Sequence, residues 1–165
     1  MGLDMYLRAK KYINKVDWKV LHDNSDLDYN SPKAILPEFK SIVKTADLAD
    51  LATDVQGAEV SVTCAYWRKS NQIHNWFVEN VQKSVDDCDE YYVSHEKLEL
   101  LLDTCRKTVA LKDPSLLQPT SGFFFGSTDI DQYYWEDIKR TVKKLEKITK
   151  HKYYSDLSFY YQSSW

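Results

Sequence analysis

YWRKSNQIHNWFVENVQKSVDDC, Tyr66 to Cys88, sets the reading of the whole chain. Its first residues end a run in which Val60, Val62, Cys64 and Tyr66 alternate with Glu59, Ser61, Thr63 and Ala65. That period of two, with its β-branched content, predicts a strand over Ala58–Trp67, with the Val60 to Tyr66 row facing the core. Cys64 then reads as a small buried core residue. Ser70 is a good N-cap, and Asn71–Gln82 follows as a helix. Ile73, Trp76, Phe77 and Val81 recur at helical spacing on its apolar face. Asn71, Asn75 and Gln82 form the opposite polar row, with His74 at the boundary. Asn80 falls on the apolar side, where its amide needs either a helix-end carbonyl, water, a ligand or an interior network. The helix runs into Asp86-Asp87-Cys88-Asp89-Glu90, an acidic turn.

Upstream, Leu3, Met5 and Leu7 alternate with Asp4, Tyr6 and Arg8, which predicts a half-buried strand over Leu3–Ile13. Asp4 and Arg8 share its polar face, either as solvated surface or as the wall of a cleft. His22 to Pro37 is polar and acidic and reads as loop. Phe39, Ile42, Val43 and Ala46 give a weak helical pattern after Pro37. A second, with Leu48, Leu51 and Val55, is capped by Asp47 and ended by Gln56-Gly57. Downstream, Tyr91–Val93 is a short extended piece. Ser94 caps a helix to about Ala110, with Leu98, Leu101, Leu102, Cys105 and Val109 inward, so Cys105 reads as structural. Gly122-Phe123-Phe124-Phe125-Gly126 predicts a buried strand bent at each end. Its acidic sequel, Asp129, Asp131, Glu136 and Asp137, argues against a phosphate cradle at the next helix, about Gln132 to Lys150. The Lys-rich outer face of that helix reads as solvated, or as a face for an acidic partner. Ser158–Gln162 is the last predicted strand.

The sum is one α+β domain over residues 1–165. An antiparallel or mixed sheet of about four strands packs with three main helices, and a polar, variable segment spans 22–57. The 165 residues suffice for a core without staples, and the 3 Cys are odd in number and far apart, as reduced thiols are. A net charge of −3 disfavours general nucleic-acid binding. No apolar run spans a membrane, and the start lacks the pattern of a signal peptide, so a cytoplasmic setting is expected.

The aromatic content of 14% and the amides around the central helix suit stacking and directional hydrogen bonds. Arg68, Asn71, His74, Asn75, Trp76 and Tyr133 are the candidate ligand-binding residues. Tyr160 and Trp165 add ring surface to the same reading. A binding module for a small polar ligand or a protein partner is therefore one expectation, with a homodimer left open. The alternative is a small hydrolase-like or metal-assisted enzyme. There His74 is the acid or base, Asp86 or Asp87 orients it, and Arg68 holds an anionic substrate. His74 and Asp87 are its candidate catalytic residues. His74 with Asp86, Asp87 and Cys88 offers mixed metal ligands, but without CxxC, HExxH or DxDxDG spacing no metal and no cofactor is expected.

MGLDMYL at the start, YWRKSNQIHNWFVENVQ with DDC after it, SGFFFGSTDIDQYYWEDI and FYYQSSW at the end resemble a family of small proteins met in phages and their bacterial hosts. The likeness covers roughly half the chain and leaves out His22 to Gly57. It implies a phage accessory or host-interaction protein working in the host cytoplasm, and brings no activity, cofactor or catalytic residue with it.

Overall fold

Strand β1, Asp4–Asn14, buries Met5 and Leu7 completely, and Leu3 just before it is buried as well, as the alternation requires. The structure, a computed structural model, describes residues 2–52 and 54–165. Its elements follow β1 as α1 (Trp18–Asp23), α2 (Pro37–Thr45), β2 (Gly57–Arg68), α3 (Asn71–Asn80), β3 (Tyr91–Val93), α4 (His95–Leu111), α5 (Gln132–Thr149) and β4 (Ser158–Ser164). The fold is α+β. Among the described residues the strands form one sheet of four, in the order β2-β1-β4-β3. Both β1 and β3 pair antiparallel with β4. No helix among the described residues is long and apolar enough to cross a membrane.

The chain forms two compact units, residues 11–61 and the remainder. In the larger one Leu3, Met5, Leu7, Phe159 and Tyr161 of the sheet share a core with Ile73 and Phe77 of α3. Leu98, Leu101 and Cys105 of α4 and Ile138, Leu145 and Ile148 of α5 complete it. Ser94 caps α4 by accepting from Lys97 N, and Asp131 caps α5 by accepting from Tyr134 N. Trp67 Nε1 donates to Thr141 Oγ1 at 2.8 Å, which pins β2 to α5 and satisfies a buried indole.

Two expectations fail here. The triple-Phe run is not a strand. Gly122–Phe125 is a turn in which Phe125 N donates to Gly122 O at 3.2 Å. Phe125 is buried, while Phe123 is 93% exposed. A Cβ on Gly122 would lie 2.5 Å from the Phe125 ring, so glycine permits the turn to close over it. The fourth strand is instead Tyr91–Val93. The faces of β2 are also reversed: Ala65 and Trp67 are buried, and Val62 and Tyr66 are exposed. Trp67 outweighs the smaller apolar row, and Cys64 is only half-buried, its thiol donating to Leu7 O.

In the smaller unit Val16, Ala34 and Phe39 are buried. Val16 bridges Ile35, Lys15 N donates to Gln56 O, and Asp17 N donates to Ala34 O. Asp17 caps α1 through Lys19 N and Val20 N, which starts a helix ahead of the expected loop. α2 begins at Pro37 as expected. The described residues of the second helical pattern form turns and bends, with Asp47 left-handed at φ 56°, and Thr53 lies outside the described residues.

Candidate functional site

The strand β2 gives way to α3 through Lys69, which holds φ at 55° while its N–H donates to Leu3 O at 2.8 Å. That left-handed residue turns the chain so that the first turn of α3 enters the interior. Asn71, Gln72, Ile73 and His74 are all buried. Ser70 does not cap this helix with its side chain. Its hydroxyl donates instead to Asp137 Oδ2 at 2.9 Å, linking α3 to α5.

Asn71 and Gln72 line a cleft of about 430 Å³. Its walls are the end of β2 with Arg68 and Lys69, the loop after the Phe turn with Asp129, and the start of α5 with Asp131 and Tyr133. The Asn71 amide orders the loop: Nδ2 donates to Phe125 O at 3.2 Å and to Ser127 O at 2.9 Å. These two bonds use the donors and fix which way the amide points. Asn71 Oδ1 is left buried without a hydrogen-bond partner, and so is Gln72 Nε2. Buried polar groups are nearly always paired, and two of the four unpaired atoms among the described residues come from adjacent residues at this one cleft; the others are His74 Nε2 and Gln82 Oε1. Tyr133 stands at the rim, 73% exposed.

The charges around the cleft fall into three sets. Arg140 donates to Asp137 Oδ1 at 2.5 Å, and the two neutralise each other. Arg68 lies 4.0 Å from Asp4 and also acts on the Tyr66 hydroxyl, and Lys69 makes no ion pair among the described residues. Asp129 accepts from Ser127 Oγ at 2.7 Å, and Asp131 accepts from Tyr134 N. Neither carboxylate pairs with a cation among the described residues.

The expected binding residues are therefore not one cluster. Arg68, Asn71 and Tyr133 meet at this cleft. Asn75 and Trp76 line a smaller groove of about 220 Å³ with Asn80, and Gln72 is the wall common to both. Asn80 Nδ2 donates to Trp76 O at 2.9 Å, the helix-end carbonyl.

His74 belongs to neither. It is wholly buried between sheet and turn. Nδ1 lies 2.8 Å from the Tyr161 hydroxyl, and Nε2 lies 3.1 Å from Asp86 Oδ1, off the line of an ideal N–H···O bond. Burial lowers the imidazole pKa from its ordinary 6.5, against the pull of Asp86, so the ring is neutral. One tautomer suits both neighbours: Tyr161 O–H donates to Nδ1 and Nε2–H faces the carboxylate. Trp165 Nε1 donates to the same Asp86 oxygen at 3.2 Å. The Tyr161 ring stacks on Phe77 at 3.9 Å, and burial holds its hydroxyl protonated. Asp87, the other expected partner of His74, instead accepts from Tyr91 O–H at 2.8 Å and Asp89 N at 3.0 Å.

His74, Asp86, Asp87 and Cys88 do not converge: among the described residues no three His, Cys, Asp or Glu side chains gather as a metal set would. Burial pushes the Cys105 thiol up to about 12, so it is no nucleophile.

The sequence reading missed Gln72, Lys69, Asp129 and Asp131 as site residues. Gln72 had a signal: it stands one helical turn before Trp76, on a side that is not fully polar. No family model, no curated protein and no solved structure matches this chain.

Proposed function

We propose that this chain is a binding module that takes a small polar ligand in the cleft formed by the end of β2, the start of α3 and the start of α5. The observation that carries this reading is the pair of orphaned buried groups, Asn71 Oδ1 and Gln72 Nε2. Leaving them unpaired costs about 1–3 kcal/mol each, a penalty that a ligand with a matching donor and acceptor removes. Arg68 and Lys69 add charge with little prior commitment, and Tyr133 adds an exposed ring for stacking. The cleft volume of about 430 Å³ suits a metabolite-sized molecule. The likeness to small phage and bacterial proteins makes capture of a host small molecule the natural role for such a module.

The enzyme reading has less support. His74 has no surface of its own: Nδ1 is paired with the Tyr161 hydroxyl, and Nε2 is buried 3.1 Å from Asp86 without a hydrogen bond. Native mass spectrometry of gently purified protein tests the binding reading. The expected result is a reproducible small adduct that Arg68→Ala loses and that survives Asp87→Asn. Bare protein in every preparation, or an adduct indifferent to Arg68→Ala, would overturn it.

A further inference from the structure

The cleft holds opposite charges that do not collapse onto each other. Arg68 and Lys69 lie at the end of β2, and Asp129 and Asp131 precede α5. No ion pair joins the first two to the second two among the described residues. The third cation, Arg140, is already spent on Asp137 at 2.5 Å. Arg68 is held only at 4.0 Å by Asp4 and Lys69 has no ion pair among the described residues, so positive and negative groups around one space suit neither a polyanion nor a plain cation. A phosphate dianion would meet Arg68 and Lys69 but would also be repelled by two carboxylates.

The orphaned amide atoms have the same two-sided character. Asn71 Oδ1 can only accept, because Nδ2 is used on Phe125 O and Ser127 O. Gln72 Nε2 can only donate. Resting on the binding reading above, we infer that the ligand is a small zwitterion of the amino-acid class. Its ammonium is taken by Asn71 Oδ1 with Asp129 and Asp131. Its carboxylate is taken by Gln72 Nε2 with Arg68 and Lys69. Both halves of the ligand then remove a burial penalty and make charge-assisted hydrogen bonds, which are about twice as strong as neutral ones. Tyr133 at the rim is left to contact the ligand's side chain.

The test is titration of the isotopically labelled full chain, followed by side-chain amide resonances of Asn71 and Gln72. The probes are a panel of L-amino acids in free, N-acetylated and C-amidated forms, with inorganic phosphate alongside. The expected result is that a free amino acid shifts both amides, and that blocking either end weakens binding by about tenfold or more. Asp129→Asn should weaken the free form and leave the N-acetylated form unchanged. Lys69→Gln should do the converse with the C-amidated form. If phosphate or a blocked form shifts the same amides as strongly as the free one, the zwitterion is wrong and the ligand cleft stands. If no probe shifts them, both fail.

Discussion

His74 and Gln72 sit two residues apart in the first turns of α3, and both are withdrawn from solvent. The fold treats them in opposite ways. His74 faces the sheet, where the Tyr161 hydroxyl pairs with Nδ1, and Nε2 lies 3.1 Å from an Asp86 carboxylate that Trp165 steadies. Gln72 faces the gap between two grooves with a donor that nothing in the chain accepts. The residue type with the greater catalytic reputation is thus the structural one. The plain amide carries the signature of a site. The difference teaches that an unpaired buried polar group is informative by its surroundings: Nε2 of His74 also lacks a hydrogen bond, but it lies against a carboxylate of the fold, whereas Gln72 borders two grooves.

The comparison can be broken most severely at His74. His74→Ala leaves a cavity, the Tyr161 hydroxyl and the Asp86 carboxylate without their partner. A loss of about 3–5 kcal/mol is expected in urea unfolding, with no ligand effect beyond the lost folded fraction. A folded variant of ordinary stability would mean that the His74 contacts with Tyr161 and Asp86 are not structural. Tyr161→Phe keeps the stack on Phe77 and orphans only Nδ1, so about 1–3 kcal/mol should be lost. A third, smaller effect is titration. The folded pKa of His74 lies below its unfolded value near 6.5, so the unfolded chain gains a proton first as pH falls. The His74 contribution to stability is complete above 6.5 and is lost as pH falls through that value toward the depressed folded pKa. Unfolding midpoints between about pH 7.5 and about pH 5.5 should drop more for the native chain than for His74→Gln. Equal slopes would place the sensitivity elsewhere.

The smallest change in stability sharpens the other side. Gln72→Met removes an unpaired donor and keeps the volume, so stability should stay level or rise by up to about 1 kcal/mol while ligand capture is lost. Thermal unfolding and the adduct mass report the two halves separately. A clear destabilisation would mean that Gln72 Nε2 has a partner after all, and would remove the argument for the cleft.

Much of this architecture is legible in the residues because it is local. Leu3, Met5 and Leu7 alternate, Asp131 and Ser94 cap, and the apolar rows of α4 and α5 keep helical period. What stays hidden depends on partners distant in sequence. β2 carries apolar residues on both faces, and the row that turns inward is the one whose Trp67 packs in the core and bonds Thr141, 74 residues away. The triple-Phe run has strand composition, but Asn71 Nδ2 takes the Phe125 carbonyl and Leu3 N takes that of Phe124. The helical wheel sets Asn71 and Gln82 on a polar row, yet both are buried: Asn71 in the first turn of α3 under the loop it bonds, and Gln82 just past the end of that helix, where Nε2 donates to Val85 O. Periodicity reports a face, and an element surrounded by others has none to report.

The strand order carries one last consequence, for the birth of the molecule. β4 lies between β1 and β3, and the contact of Arg8 with Gln162 spans 154 residues of chain. On a ribosome, β1 emerges well before β4 and waits with one edge open while the chain between them is made. β3 waits as well, since its neighbour in the sheet is also β4. A single late closure therefore zips both edges at once, and the loop entropy of that step sets the pace. Nascent chains held short of β4 should keep the amides of β3 open to exchange and bind chaperones that recognise unpaired strands.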